Sequence, residues 1–429
     1  MNVLYNTGIR LYSGAARVAG FGSAKVRHML NGQAETIARL ESFRRNLAPD
    51  GFDLWIHAAS LGEFEQGRPI IDALLEVNPQ AKILLSFFSP SGYEVRCNYD
   101  PRVAVVYLPF DLPGNVEKFI DVAKPKMAIF VKYEFWGNYL TVLRQRGIPA
   151  YIVSAIFRPG QVFFKPWGGM FRSMLGCFKH IFVQDERSRK LLAGIGVENV
   201  TVAGDTRFDR VTAVRAKRRD IPEIEIFKAA HPGAFTVVFG SSWDKDEDIY
   251  TDVIKSRDNI CAIIAPHEFN KDRLSSMRRR LGSDQTVLFS DFVRIVKESH
   301  DKAAQLAKGI KYIIVDCFGL LSSLYRYADM AYVGGGFGVG IHNINEAAVY
   351  GIPVLFGPNY SKFNEAVDLI SLKGAFSVSD ANSFASLLDR ITDEREFREE
   401  TGNRAAEYIA SKVGATPIIM KSLFGAGGL

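Results

Sequence analysis

The chain has 429 residues, 47% hydrophobic and 23% charged. That composition belongs to a folded protein and excludes a disordered one, and the length exceeds what one growing core supports, so two domains are expected. The formal charge of +6 suits acidic ligands or an anionic membrane surface. It is too small and too dispersed to make nucleic acid an expected partner. Cys97, Cys177, Cys261 and Cys317 form no CxxC pair, which excludes a zinc cluster or disulfide framework and fits a reducing cytoplasm.

The N-terminus carries Arg10, Arg17, Lys25 and Arg27 and no acid over its first 30 residues. Leu4, Leu11, Ala15 and Val18 share one helical face. Residues 1–22 read as an amphipathic segment, too interrupted for a signal peptide or a spanning helix. Two readings stay open, since both need the same amphipathic pattern: a helix flat on an anionic membrane, or one docked on its own domain.

From residue 23 to 212, short apolar runs alternate with helical patterns. "DLWIHAA", "KILLSF", "VAVVYL", "MAIFVK", "AYIVSA", "HIFVQD" and "VTVAGD" read as strands. Continuously apolar strands separated by helices imply a parallel sheet covered on both faces. A charged linker is expected near residues 210–232. The alternation restarts over residues 213–429 with "FTVVFGSS", "NICAIIAPHE", "QTVLFS", "KYIIVDC", "MAYVGGG" and "IPVLFG", and closes on terminal helices. Ligands of open parallel sheets bind beyond the carboxyl ends of the strands, so the loops after strands are the candidates.

"HAASLGEFE" puts Ser60, Gly62 and Glu63 where a strand turns into a helix, and "VKYEFWGN" puts Glu134 in the equivalent place. Two carboxylates facing one cleft can divide into a base and an orienting group; the plainer reading is two acids set at helix N-termini. "FRPGQVFFKPWGGMFRSML" interleaves Arg158, Lys165 and Arg172 with Phe163, Phe164, Trp167 and Phe171. That pattern suits an amphiphilic anion such as a phosphorylated lipid, or single-stranded nucleic acid, or else a core-facing helix. "FGSSWDKDED" offers Ser241 and Ser242 to a phosphate, while Asp244 and Asp246 have DxD spacing but read better as helix caps than as metal ligands. "IIAPHE" places His267 after a strand, either against a phosphate or as a structural residue. In "YVGGGFGVGIHNINEAAVYGIPVLFG", glycines 334–336, 338 and 340 lead to a helix expected near Asn343, with Glu346 one turn on. Neither a dinucleotide fingerprint nor a Walker A loop is present. Close backbone approach to an anion is the favoured reading.

Taken in order, these motifs resemble those of the Kdo transferases, inverting GT-B glycosyltransferases that move 3-deoxy-D-manno-octulosonic acid (Kdo) from CMP-Kdo to a lipid A precursor. "HAASLGEFE" looks like their Ser-x-Gly-Glu loop, "YEFWGN" like Glu-x-x-Trp-Pro-Asn, and "GDTRFD" like Gly-Asn-x-Lys-Phe-Asp. "GGGFGVGIHNINEAA" is similar to Gly-Gly-x(5)-Gly-His-Asn-x-x-Glu-Pro-Ala, and "FGPNYSKF" to Gly-Pro-His-x-x-Asn-Phe. The resemblance implies an α/β GT-B fold of two Rossmann-like domains facing an interdomain cleft. It implies Glu63 as general base with Glu134 as second acid. Acceptor contacts are expected at Ser60 and Gly62 beside Glu63, and at Arg158, Lys165 and Arg172 of the basic and aromatic segment. Donor contacts would fall on Ser241, Ser242, Pro266, His267, Gly319, Gly335, Gly336, Asn343 and Glu346. It implies no metal and no cofactor, CMP-Kdo being a substrate, and a place on the cytoplasmic face of the bacterial inner membrane, peripheral or N-terminally anchored. The chain departs from the family pattern at His267, where Pro-Arg-His would supply an arginine, at Gly137 and at Ala347. Two other readings compete: a sugar-nucleotide 2-epimerase or other GT-B transferase, and a membrane-binding protein on a degenerate transferase scaffold.

Overall fold

The structure is a computed structural model that describes residues 3–217 and 219–425. Residues 1–2, 218 and 426–429, which fall within the expected N-terminal segment, linker and terminal helices, lie outside the described residues. The chain forms two compact units: Met1–Arg210 with Val413–Leu429, and Val211–Lys412.

The first unit opens with α1 (Val3–Gly22) and α2 (Ala24–Asn46). Strands and helices then alternate: β1 (Leu54–Ala58), α3 (Leu61–Val77), β2 (Ile83–Phe87), α4 (Pro90–Arg96), β3 (Val103–Tyr107), α5 (Pro113–Ala123), β4 (Ala128–Val131), α6 (Gly137–Gln145), β5 (Ala150–Ala155), α7 (Gly169–Leu175), β6 (Phe178–Val183), α8 (Glu186–Ala193) and β7 (Val200–Val202); the division between the units then falls inside α9 (Thr206–Ala216). All pairings are parallel, in the order β3-β2-β1-β4-β5-β6-β7. Successive side chains serve opposite faces. Trp55, Leu84 and Phe130 enter one core, while Ile56, Leu85 and Ile129 enter the other. That double burial is why the strands read as unbroken apolar runs.

The second unit holds α10 (Pro222–Ala230), β8 (Phe235–Ser242), α11 (Asp244–Lys255), β9 (Ile260–Pro266), α12 (Lys271–Leu281), β10 (Thr286–Leu288), α13 (Phe289–Glu298), α14 (His300–Ala307), β11 (Tyr312–Ile314), α15 (Leu321–Leu324), β12 (Met330–Val333), α16 (Asn345–Ala348), β13 (Val354–Phe356), α17 (Asn364–Ser371), β14 (Ala375–Ser377), α18 (Ala381–Asp393) and α19 (Arg395–Lys412). Its strand order is β10-β11-β9-β8-β12-β13-β14, again all parallel.

The charged stretch at 210–232 holds the boundary between the two units and contains no strand among the described residues; most of it is helical, formed by the end of α9 and by α10. Three expectations change. β14, a three-residue edge strand, carries too short an apolar run to stand out in the sequence. The last helix, α20 (Ala415–Phe424), belongs to the first unit and not the second. Ile419 joins the core under α3, and Asp209 accepts from the Gly414 and Thr416 amides at 2.6 and 2.7 Å, placing a carboxylate on the N-terminus of α20. Finally, α1 does not dock by its predicted apolar face. It buries Ser13 and Gly20, and leaves Leu4, Leu11, Val18 and Phe21 between 70% and 87% exposed. No described helix is long and apolar enough to cross a membrane.

At Gly240 on β8 a Cβ would collide with the buried Tyr325 hydroxyl, while at Gly114 on α5 it meets nothing. Gly240→Ala is expected to destabilise the protein by about 1–3 kcal/mol through overpacking. Gly114→Ala should be close to neutral, and adding Tyr325→Phe to Gly240→Ala should recover part of the loss, all read from thermal melting.

Candidate active site

In the first sheet the chain runs one way from β1 to β2 and β3, and the other way from β4 to β7. The loops after β1 and β4 therefore part, which opens a crevice at the carboxyl ends of these neighbours. Glu63 and Glu134 follow those two strands. Ser60 is the N-cap of α3 and Glu63 its third residue. Glu63 Oε2 accepts from the Ala59 and Ser60 amides at 2.6 and 3.2 Å. Gly62 is exposed, and a side chain there would meet only Ser60 Oγ at 4.0 Å, so the approach to the carboxylate is open.

Glu134 is buried, and its Oε2 accepts from Trp136 Nε1 at 2.5 Å and faces His57 Nε2 at 3.1 Å. The fully buried His57 ring sets Nδ1 2.9 Å from Ser86 Oγ and 3.0 Å from the Ser86 carbonyl. Trp55 Nε1 donates to the same Ser86 hydroxyl at 2.8 Å. His57 Nε2 also lies 3.2 Å from Trp136 Nε1, so the imidazole ties Ser86, Trp136 and Glu134 into one hydrogen-bonded cluster. Burial first, and the Glu134 charge second, raise the Glu63 carboxyl to about 7. The opposing pulls of His57, the Ala59 amide and Lys132 are weaker in sum. His57 was not singled out from the sequence. The available signal was a histidine inside an apolar strand, because a buried imidazole needs partners.

The basic and aromatic segment after β5 is largely self-occupied. Arg172 donates to the Phe163 and Lys165 carbonyls at 3.0 and 2.9 Å, so its guanidinium pins its own loop. Phe163 is buried, and Phe164 and Phe171 pack against that core; Arg158 and Trp167 stay exposed, and Lys165 is half-buried. Arg158, Lys165 and Trp167 are the parts of the segment left unspent, because Arg172 and the three phenylalanines are used within the protein.

The second sheet reverses between β8 and β12, and its candidate residues gather there. Ser241 forms a bulge with φ 53° at the end of β8. Ser242 is fully buried, and its hydroxyl accepts from Tyr250 at 3.2 Å and faces Glu247 at 3.3 Å, so it serves the scaffold and not a ligand. Asp246 caps α11 and ties the glycine loop: its oxygens accept from the Trp243 amide, the Gly335 amide and the Tyr332 hydroxyl, each at 2.9 Å. Asp244 pairs with Arg273, which also holds Glu247 at 2.6 Å. The glycines answer to packing as much as to ligand approach. A Cβ at Gly334 would strike the Ser241–Ser242 backbone, and one at Gly336 would sit 2.6 Å from Gly357. Gly335 has φ 93°.

His267, just beyond Pro266, lies between two rings, 4.4 Å from Trp243 and 4.5 Å from His342. Burial lowers the His267 pKa and pushes His342 down to about 4. Burial thus favours the neutral imidazole at both positions, and a neutral His267 offers a hydrogen bond. His342 accepts from Trp243 Nε1 at 3.1 Å. Glu346 receives Asn343 Nδ2 at 3.1 Å and the Ser322 hydroxyl. Its helix α16 starts at Asn345, two residues later than expected, and is a single turn, which weakens the dipole argument for an anion there. Gly319 lies on an exposed loop with φ 84°. A pocket of about 370 Å³ beside Gly335 and Gly338 is lined by Trp243 and Lys245, two residues the motifs did not single out. Among the described residues no cluster of three His, Cys, Asp or Glu could hold a metal ion.

A family model described as 3-Deoxy-D-manno-octulosonic-acid transferase (kdotransferase) matches residues 25–210. A 3-deoxy-D-manno-octulosonic acid transferase of Aquifex aeolicus is 25% identical over 356 residues, covering 82% of this chain and 89% of that protein. One from Haemophilus influenzae is 25% identical over 383 residues, covering 84% of each. Among solved structures, the UDP-GlcNAc 2-epimerase of Neisseria meningitidis aligns with TM-score 0.58 at 15% identity over 86% of this chain and 99% of that one. The epimerase of Methanocaldococcus jannaschii aligns with TM-score 0.51 at 15% identity, over 83% and 98%. These two structures share the fold: two parallel sheets flanked by helices, the GT-B arrangement.

The Glu63 carboxyl carbon, followed by NMR, is expected to titrate near pH 7. In Glu134→Gln the second negative charge is gone, so the Glu63 midpoint should move down.

Proposed function

We propose that this chain, which belongs to the 3-deoxy-D-manno-octulosonic acid transferase family and is a glycosyltransferase, transfers Kdo from CMP-Kdo to a phosphorylated lipid A precursor. The acceptor is a tetraacyl disaccharide bisphosphate, and the step belongs to assembly of the lipopolysaccharide core. The observation that carries the reading is Glu63: a carboxylate at the strand-order reversal, fixed by two amides through one oxygen, and raised to about 7. Glu63 Oε1 makes no hydrogen bond among the described residues and is the atom that takes the proton. A base of that strength, poised near neutral pH, is what abstraction from an alcohol calls for.

The acceptor hydroxyl gives its proton to Glu63 as its oxygen attacks the anomeric carbon of Kdo. The bond from that carbon to the CMP phosphate oxygen breaks, CMP leaves with the electron pair, and the single displacement inverts the anomeric centre. Glu134 sets the basicity of Glu63 by its charge, and His57 with Trp136 holds Glu134 in place. In the second unit, Ser241, His267 and the Gly335–Gly336 loop meet the nucleotide, Asn343 and Glu346 take hydroxyl groups, and Lys245 supplies a positive charge toward the phosphate. A single phosphate is served by such a set without a metal. The engagement of both Asp246 oxygens with the protein supports that reading. No cofactor is required. The outward apolar face of α1 supports a peripheral place on the cytoplasmic face of the bacterial inner membrane.

The test is transfer from CMP-Kdo, made in situ, to the precursor in the presence of EDTA, with products read by mass. A product heavier by Kdo units is expected. Glu63→Gln should lower kcat by about 10²–10⁴-fold with little change in KM. Full turnover by a folded Glu63→Gln would remove the base assignment. An absence of both product and CMP binding would favour an epimerase instead.

A further inference from the structure

We propose that a second pocket in the first unit seats the phosphate of an anionic bilayer phospholipid. The pocket measures about 380 Å³ and lies between α1, α2 and α5; its walls include Arg17, Gln33, Lys118, Leu30, Ile37 and Phe110. None of these residues hydrogen-bonds to Glu63 or Glu134 among the described residues. The inference rests on the membrane-surface reading of α1 and names the lipid that reading leaves open.

Three observations converge on the ligand. The first is charge. Arg17 and Lys118 bring two positive charges, no acidic residue lines the pocket, and neither cation makes a hydrogen bond or ion pair among the described residues. The second is an unspent donor. Gln33 is 9% exposed, and its Nε2 is buried with no hydrogen-bond partner. A buried donor left unpaired is costly, and an anionic oxygen accepting from it removes that cost. Asn115, also in the lining, gives one of its two amide hydrogens to the Phe110 carbonyl at 3.1 Å, whereas Gln33 Nε2 gives neither of its own.

The third observation separates a lipid from free phosphate. Leu30, Ile37 and Phe110 form an apolar wall that inorganic phosphate would not use. On α1, Val18 follows Arg17 directly and Phe21 lies one turn further on, both largely exposed. A phosphate held by Arg17, Gln33 and Lys118 thus leaves its acyl chains beside the apolar stripe of the helix. The combination of basic residues with an exposed apolar helix face is what binding to anionic lipid requires.

The experiment uses the full chain and sedimentation with vesicles of phosphatidylcholine, with and without phosphatidylglycerol. Wild-type protein should bind only the anionic vesicles well. Lys118→Ala should weaken that binding about tenfold. Arg45→Ala removes one exposed charge from α2 outside the pocket, and should cost no more than the about fivefold of a diffuse surface charge. Gln33→Leu keeps the volume and the net charge, so diffuse electrostatics leaves it unchanged, whereas the seat predicts about a tenfold loss. Gln33→Leu binding like wild type, together with Lys118→Ala no weaker than Arg45→Ala, would overturn the proposal. A rise in melting temperature with inorganic phosphate that Gln33→Leu abolishes, with its vesicle binding intact, would replace the lipid by free phosphate and overturn it too. Failure of wild-type protein to bind any vesicle would sink both the seat and the membrane-surface reading, and would leave the transfer reaction to its own assay.

Discussion

Two reversals of strand order, between β1 and β4 and between β8 and β12, govern where the reacting groups of this protein can gather. Parallel strands need right-handed crossovers, so the helices leaving a reversed pair go to opposite faces of the sheet. The carboxyl ends of that pair stay uncovered. Every group that the chemistry draws on sits at or beside one of these two openings: His57, Glu63 and Glu134 at the first, Ser241, Lys245 and the Gly335 loop at the second. Elsewhere the strand ends are closed by packing, as Arg172 and its phenylalanines close the loop after β5.

Within the first opening the decisive quantity is the sign of the nearest charge. Burial opposes ionisation of any carboxyl group. Asp205 is more deeply buried than Glu63, and burial raises its pKa too, yet the charge and hydrogen bonds of Arg207, helped by Lys132, bring it below the usual range. Glu63 has a second carboxylate as its strong neighbour, and it moves the other way. Two buried acids thus become a permanent anion and a base poised near neutrality, the more deeply buried of them being the anion. The helix start at Ser60 alone would have predicted a lowered pKa for Glu63, since amides and the helix dipole favour the charged form. Burial and Glu134 outweigh it.

Much of this was legible beforehand. The alternation of apolar runs and helical patterns placed thirteen of the fourteen strands, because burial on both faces leaves no polar interruption to confuse the reading. The motif order pointed to Glu63, Glu134 and the glycine loop. The reasons at single positions were less accessible. Gly334 and Gly336 look like ligand-facing glycines in sequence, but they are demanded by the backbones of Ser241–Ser242 and Gly357. Ser242 looks like its neighbour Ser241, but a one-residue bulge leaves only Ser242 fully buried, with its hydroxyl on Tyr250 and Glu247.

The sequence by itself carried the class of fold, the two-part organisation and the family resemblance, because those depend on periodicity and on short motifs in a fixed order. Only the tertiary structure decided which charges and hydrogen bonds meet. His57 reaches Glu134 across 77 positions of chain, α20 leaves the second unit to sit under α3, and α1 turns its apolar face outward. Periodicity states that a helix has an apolar side. What that side meets is set by partners distant in sequence, and those partners are known only once the chain has folded.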